Sequence, residues 1–404
     1  MHVIVLGAGV IGTTTAYYLS QLGYQVTVVD RADDVGDGAS FANAGQLSYS
    51  FTDALAKPEF LASMPRLLLG RDPGAHVRLA PGLMSWGLRF LSQCTSKSAE
   101  RNTVAVLKTA MRSAELMAEL RKRVPIEFSH RRAGKLVLLS DQAELNAATA
   151  SSELKSAHGC NTEILSQVEA TAIEPALEHM TDNFIAAVYS ESDEVADSLK
   201  FTTGLRDWLE GEGLVTFRLS SIAKNIVAKK GCTHAVVVDD DTIEADAIVV
   251  CMGAWSNRLL RTVGVNPHVY PVRGYSITLP PAGASPSVSV TILKRRMVFS
   301  RIDGFMRIAG FADFAGFDTS ADAERVHSLL ELAKRVAPGA ANYDADDANE
   351  WGGFRPMTPN GQPQVGATRV RGLYVNTGHG MLGWTLACST GHDTAQAIAQ
   401  TIQS

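Results

Sequence analysis

The chain has 404 residues, 46% hydrophobic and 20% charged, with a formal net charge of −5. It is long enough for a large core, in two or three average domains or one compact two-domain enzyme. Its mild acidity, without a basic run, excludes nucleic acid as the expected partner and favours a small molecule. Five scattered cysteines (Cys94, Cys160, Cys232, Cys251, Cys388) show neither CxxC nor metal spacing, so a reducing compartment and no metal site are expected. The first residues already read as a buried strand, and no apolar stretch reaches about 18 residues. A cytoplasmic protein that neither is secreted nor spans a bilayer is the expectation.

The run His2 to Leu6 reads as a strand, Gly7-Ala8-Gly9-Val10-Ile11-Gly12 as a tight turn, Thr13 to Leu22 as a helix, and Gln25 to Asp30 as a second strand. In such a turn Gly7 permits the bend, Gly9 lets a pyrophosphate approach the backbone, and Gly12 lets the helix pack on the strand. The phosphates then sit at a helix N-terminus, where free N–H groups and the dipole favour negative charge. Asp30 is placed to accept from a ribose diol, and its charge repels a 2′-phosphate. A dinucleotide is expected, and NADP is not.

The small, glycine-rich stretch Gly36 to Gln46 suits backbone pressed against a ligand. Residues Ala54 to Leu91, interrupted by Pro58, Pro65, Pro73 and Pro81, predict short helices and turns. The apolar pieces Leu67-Leu68-Leu69 and Leu83 to Leu91 suit either a membrane surface or quinone, or the covering of a core, and residue types favour the core. Helices are predicted over Ala99 to Arg123, Asp141 to Cys160, Ser198 to Gly211 and Ala321 to Val336. Strands are predicted at Lys135 to Leu139, around Val188, in three pieces over Leu214 to Val238, and in antiparallel alternation over Tyr270 to Leu279 and Val288 to Ala309. A second dinucleotide-type strand, Asp246 to Met252, ends in the turn Gly253-Ala254-Trp255, far from the first. That return distinguishes the chain from a nicotinamide dehydrogenase with a continuous Rossmann unit. The last strand, Gly372 to Asn376, leads through Thr377-Gly378-His379-Gly380-Met381-Leu382-Gly383 into a final helix, a second helix-N-terminus site.

Together these pieces resemble the D-amino-acid oxidase-like flavoprotein family over nearly the whole chain. The marks are the glycine turn with Asp30, the loop Ser40-Phe41-Ala42-Asn43-Ala44-Gly45, Tyr270 to Ser276, Arg355-Pro356-Met357-Thr358-Pro359, and Asn376 to Gly380 with Leu382-Gly383-Trp384. The resemblance implies an α/β fold, with a discontinuous Rossmann-like FAD-binding domain (1–80, 190–268, 346–404) and an interleaved antiparallel-sheet substrate domain (81–189, 269–345). It implies non-covalent FAD and oxidation of a Cα–N bond, as in D-amino-acid dehydrogenation, with electrons passed to a quinone or other carrier. Hydroxyproline, proline, glycine and sarcosine dehydrogenases or oxidase subunits share most of the pattern. A flavin-binding subunit without catalysis is the alternative of another class. Peripheral contact with the inner face of the cytoplasmic membrane, an oligomer and a partner subunit belong to the same expectations. Two departures stand out: Asp30 where many relatives have Glu, and Ala196 in the usual Gly-Asp before Asp197, which puts substrate range in question.

The resemblance assigns Arg355 to the substrate carboxylate, chemistry that a planar guanidinium suits. It sets Tyr275 and Tyr49 in the active-site walls. For the cofactor it implies Gly7, Gly9, Val10, Ile11, Gly12, Asp30, Arg31, Ser40, Asn43, Ala44, Gly45, Gln46, Gly253 and Trp255, with the backbone of Ile222 at adenine. Gly378, His379, Gly380, Met381, Leu382 and Gly383 fall at the flavin pyrimidine edge. There the amides from Gly380 to Gly383, rather than His379 as a base, are expected to stabilise negative charge. Cys251 and Cys388 sit in no pattern for covalent flavin and read as buried small hydrophobes.

Overall fold

The computed structural model describes residues 1–78 and 80–403; Leu79, within the expected first FAD-binding segment, lies outside them. A six-stranded sheet is ordered Gln364–Ala367, Leu373–Thr377, Ala247–Val250, His2–Leu6, Gln25–Val29, Val215–Arg218, parallel except for its first strand. Both faces are covered, which is why these strands read as continuous apolar runs. Val3 and Val5 point to the layer of helices Val10–Gln21, Ser198–Gly211 and Gly383–Gln403. Ile4 and Leu6 point to a three-stranded antiparallel sheet, Ala223–Lys229, Cys232–Val238 and Asp241–Glu244. A 28-residue helix, Ser96–Arg123, packs outside the last helix.

The second large sheet is mixed. Its order is Asn349–Met357, Tyr270–Leu279, Phe305–Phe314, Met297–Ile302, Ser289–Ile292, Lys135–Leu139, Ala186–Ser190, Glu163–Ser166, with Ala75–Val77 also pairing with Phe305–Phe314. Helix Asp322–Val336 covers one face around Ile277, Phe299, Ile308 and Leu329. The other face overlooks the carboxyl ends of the parallel strands, and the cavity described below lies between them.

The prolines split 54–91 as expected. Helices Pro58–Leu68 and Pro81–Gln93 each begin on a proline, where a missing N–H does no harm. The core reading of this region holds only in part. Leu67, Trp86 and Phe90 are buried, whereas Leu68, Leu69, Met84 and Leu88 are 60–68% exposed.

Candidate active site

The carboxyl ends of the parallel strands open into a cavity of about 1300 Å³ that continues across the second sheet. Drug-sized ligands occupy roughly 300–1,000 Å³, so a dinucleotide and a small substrate fit together. At its first end Gly7 has φ +108°, and a Cβ there would stand 2.7 Å from the Cys251 carbonyl oxygen. Gly12 lines no part of the cavity: a Cβ on it would collide with the carbonyl oxygen of Gly7, so its role is the closeness of helix to strand. The helix has neither an acid in its first turn nor a capping side chain at Gly9. Ser40 reaches across instead, its Oγ accepting the Val10 N–H at 3.0 Å. Asp30 accepts from the Ala8 N–H at 2.6 Å and the Ala32 N–H at 2.9 Å, and its side chain faces the cavity. The shorter acid is thus built into the turn itself, with carboxylate lone pairs left for a diol.

The loop 36–46 is clamped from several sides. Asn43 Nδ2 donates to Ser198 Oγ at 2.7 Å, its Oδ1 accepts the Gly45 N–H at 2.9 Å, and Ser276 Oγ donates to the Ala42 carbonyl at 2.6 Å. Ala196 leaves this turn intact: its N–H donates to the Gly45 carbonyl at 2.8 Å, and Asp197 caps the next helix through the Leu199 and Lys200 N–H groups. Ala44 and Gln46 line the cavity with Gly9, Val10 and Ile11. On the facing wall the Arg31 guanidinium lies 4.3 Å over the Trp255 ring, beside Gly253.

Ile222 lines the cavity, as its expected place at adenine requires. Its N–H donates to Asp239 Oδ1 and its carbonyl accepts the Asp239 N–H, both at 2.9 Å, which leaves one carbonyl lone pair and a half-exposed side chain for a ligand.

At the last helix the Gly380 N–H donates to the Pro356 carbonyl at 2.9 Å and the Leu382 N–H to the His379 carbonyl at 3.1 Å. Two of the four amides expected to face a ligand are therefore spent inside the turn, and Met381 and Gly383 remain. Gly378 does not line the cavity. It has φ +81°, and a Cβ there would meet Thr358 Cγ2 at 2.5 Å. His379 is 3% exposed and burial lowers its pKa to about 3, so it is neutral. Thr390 Oγ1 donates to the Leu386 carbonyl, which leaves it to accept from His379 Nε2 at 3.0 Å. Such an imidazole is a turn brace, not a base. Cys251 and Cys388 are buried, with thiols pushed up to about 12 by burial.

The strand carrying Arg355 was hidden in the sequence by Gly352, Gly353 and Pro356, residues that ordinarily argue against a strand. Residues Asn349–Met357 pair along Tyr270–Leu279, and the Arg355 side chain crosses directly over Gly274, where any Cβ would strike the guanidinium. Its Nη1 donates to the Phe311 carbonyl at 2.6 Å and its Nη2 to the Gly310 carbonyl at 3.4 Å. Those carbonyls are turned there by a bulge. The pairing register slips between Arg273↔Asp313 and Tyr275↔Gly310, and Phe311 has φ +60°. Among the described residues no carboxylate lies within 4.0 Å of this guanidinium. Burial lowers its pKa to about 10, opposed by Asp313 and Tyr275.

Tyr275 lines the cavity, and its hydroxyl donates to Asp313 Oδ2 at 2.9 Å. Burial and then Asp313 raise its pKa above the phenol range, so it stays protonated. Asp313 in turn takes two bonds of 2.8 Å from Arg325. Tyr49 is not in the cavity. Its hydroxyl donates to Glu194 at 3.1 Å within the core, because alternation along the chain gives the cavity Ser48 and Ser50. Asp313, Arg325 and the Phe311 bulge were missed from sequence, although a lone acid in the apolar strand Phe305–Phe314 was a signal available to be read.

The family model described as DAO, FAD dependent oxidoreductase, matches residues 2–397. The chain is 38% identical to D-amino acid dehydrogenase 2 of Ralstonia nicotianae over 99% of its length and 97% of that protein's. It is 37% identical to D-amino acid dehydrogenase of Paramagnetospirillum magneticum over 99% and 95%. Among solved structures, glycine oxidase from Geobacillus kaustophilus superposes with TM-score 0.76 at 22% identity, covering 98% of this chain and 94% of that one. L-Proline dehydrogenase from P. horikoshii gives 0.75 at 19%, covering 99% and 93%. With a turn for a dinucleotide, a cavity reaching a half-buried arginine and relatives along its whole length, the chain belongs to the DAO family of FAD-dependent oxidoreductases.

Proposed function

We propose that the protein oxidatively deaminates D-amino acids, holding FAD without a covalent bond and passing electrons to a quinone or other carrier. One observation carries this reading: Arg355 presents a half-buried guanidinium to the cavity, hydrogen-bonded only to neutral carbonyls of the protein. Its nearest acid, Asp313, is already bonded to Tyr275 and Arg325, so a substrate carboxylate supplies the direct partner that the guanidinium lacks, in bidentate geometry. FAD fits what is offered. Gly9 exposes bare backbone, Asp30 keeps lone pairs for the ribose, the first helix has an acid-free N-terminus, and the Met381 and Gly383 amides stand at the second helix start. When bound, it would supply the acceptor for the hydride, and with it both electrons, leaving the amino acid.

The chain's residues do the rest. Arg355 fixes the carboxylate and so the Cα, Tyr275 closes the wall beside it while bonded to Asp313, and Phe51, Leu55 and Phe60 line the cavity with apolar surface. Loss of hydride from Cα and a proton from the amine leaves an imino acid, to which water adds, releasing ammonia and a 2-oxo acid.

No helix among the described residues is long and apolar enough to cross a membrane. The exposed Leu61, Leu68, Leu69, Met84 and Leu88, with Arg66, Arg71 and Arg89 on or beside the same two helices, support peripheral contact with an anionic bilayer. The deciding experiment mixes purified protein anaerobically with a panel of D- and L-amino acids and follows flavin bleaching. Bleaching by D-amino acids is expected; bleaching by L-amino acids alone overturns the assignment.

A further inference from the structure

The cavity does not end at Arg355. It crosses the sheet to the strand Lys135–Leu139, where Lys135, Val137 and Leu139 alternate onto it while Leu136 and Leu138 enter the core behind. Lys135 is 3% exposed. Its Nζ donates to Gln46 Oε1 at 3.2 Å and Ser48 Oγ at 2.9 Å, and stands 4.2 Å from the Phe51 ring centroid. All three partners are neutral, and among the described residues no carboxylate lies within 4.0 Å. Two acids at this end, Asp193 and Asp53, favour the Lys135 charge from beyond 4.0 Å. Asp53 takes Lys155 Nζ at 2.5 Å and Ser151 Oγ, and Asp193 takes Ser50 through its N–H at 3.1 Å and its Oγ at 2.9 Å. A buried ammonium on a cavity wall whose direct partners are all neutral, with its nearest acid, Asp193, beyond 4.0 Å, leaves room for a closer anion, as Arg355 does.

The register measures the gap between the two cations. Gln46 Nε2 lies 2.6 Å from Ser289 Oγ and 3.4 Å from Thr291 Oγ1. Thr291 pairs with Val298 and Val298 with Ala309, next to the Gly310 whose carbonyl takes Arg355 Nη2. The Lys135 strand lies one further spacing out, so three strand spacings of about 4.8 Å set the cations on the order of 15 Å apart. An extended amino acid of five or six carbons with a carboxylate at each end, and one charge-assisted bond of about 2.8 Å at each terminus, comes closest to reaching across.

We propose that this end of the cavity is the side-chain subsite and that Lys135 selects amino acids whose side chains end in a carboxylate. The inference rests on the amino-acid reading above. Burial lowers the Lys135 pKa to about 8, which leaves it mainly cationic at neutral pH.

The test compares kcat/KM for matched pairs, D-glutamate against D-glutamine and D-2-aminoadipate against D-norleucine, on FAD-loaded protein with a dye acceptor. A preference of tenfold or more for the diacid is expected, falling toward one in Lys135→Met and surviving in Lys135→Arg. An equal ratio in wild type and Lys135→Met overturns the inference, as does turnover of neutral D-amino acids with none of the diacids. Should Lys135→Met not load FAD, the wild-type pairs and Lys135→Arg still decide. If no D-amino acid reduces the flavin, the activity itself is overturned, and this assignment with it.

Discussion

Arg355 rests on Phe311: its Nη1 donates to the Phe311 carbonyl at 2.6 Å, and that carbonyl is turned toward it by a backbone at φ +60° in a β-bulge. A non-glycine residue in that region is strained by roughly 1–3 kcal/mol, so the surrounding sheet holds the bulge in place. The consequence is a guanidinium fixed before substrate arrives, which lowers the ordering cost of binding.

Removing that group tests the clamp directly. Charge-assisted bonds are worth roughly 1.5–3 kcal/mol each. Arg355→Ala should therefore lower kcat/KM on the order of a hundredfold or more, with FAD occupancy unchanged. Lysine keeps the charge and loses the fork, so Arg355→Lys should recover only part. Near-normal kcat/KM in a loaded Arg355→Ala enzyme would place the carboxylate elsewhere.

Gly274 makes the same point from beneath. Any Cβ on it strikes the Arg355 guanidinium, so Gly274→Ala should displace the clamp while the sheet pairing persists. Steady-state kinetics should show a KM raised severalfold or more for amino acids, with the flavin spectrum and melting temperature little changed. An unaltered KM would show that Arg355 has room to shift.

How these residues read in the sequence depended on whether their chemistry was local. The glycine turn, Asp30 and the strand–helix–strand around them were legible because each role is met by neighbours within thirty residues. Arg355 was identifiable by its motif, yet its strand was not, since Gly352, Gly353 and Pro356 carry no strand signal; a ten-residue partner strand holds it. Tyr49 was misplaced because nothing local says which of Ser48, Tyr49 and Ser50 faces inward. Glu194, 145 residues away, decides it. Lys135 read only as the first residue of a strand, and only the sheet shows that its parity matches the cavity side.

Asp30 joins cofactor and turn, and two substitutions separate them. Asp30→Ala removes acceptors for the Ala8 and Ala32 N–H groups as well as for the ribose. Leaving such groups unpaired costs about 1–3 kcal/mol, so the apoprotein's melting temperature should fall along with FAD affinity. Asp30→Asn retains one acceptor oxygen, so it should lose less stability while still weakening FAD. The checks are thermal melts of apoprotein and fluorescence titration with FAD. Unchanged FAD affinity in both variants would remove Asp30 from the site.

The final prediction concerns acid stability. His379 is buried beside Thr390, and burial lowers its folded-state pKa to about 3, against about 6.5 for an exposed imidazole. Between those values the unfolded chain binds a proton that the folded chain refuses, so stability is full above about pH 6.5 and declines as pH falls toward 3. The slope is at most about 1.4 kcal/mol per pH unit for one group, which over this interval amounts to several kcal/mol. Glutamine can still donate an amide N–H to Thr390 but does not titrate. His379→Gln should therefore flatten the dependence of unfolding free energy on pH between about 6 and 4, even if it lowers the plateau at neutral pH. Denaturant titrations of apoprotein at half-unit pH steps measure this. Equal slopes in wild type and variant would mean that protonated His379 is tolerated, through an opening of the Thr377–Gly383 turn, and that other groups govern acid unfolding.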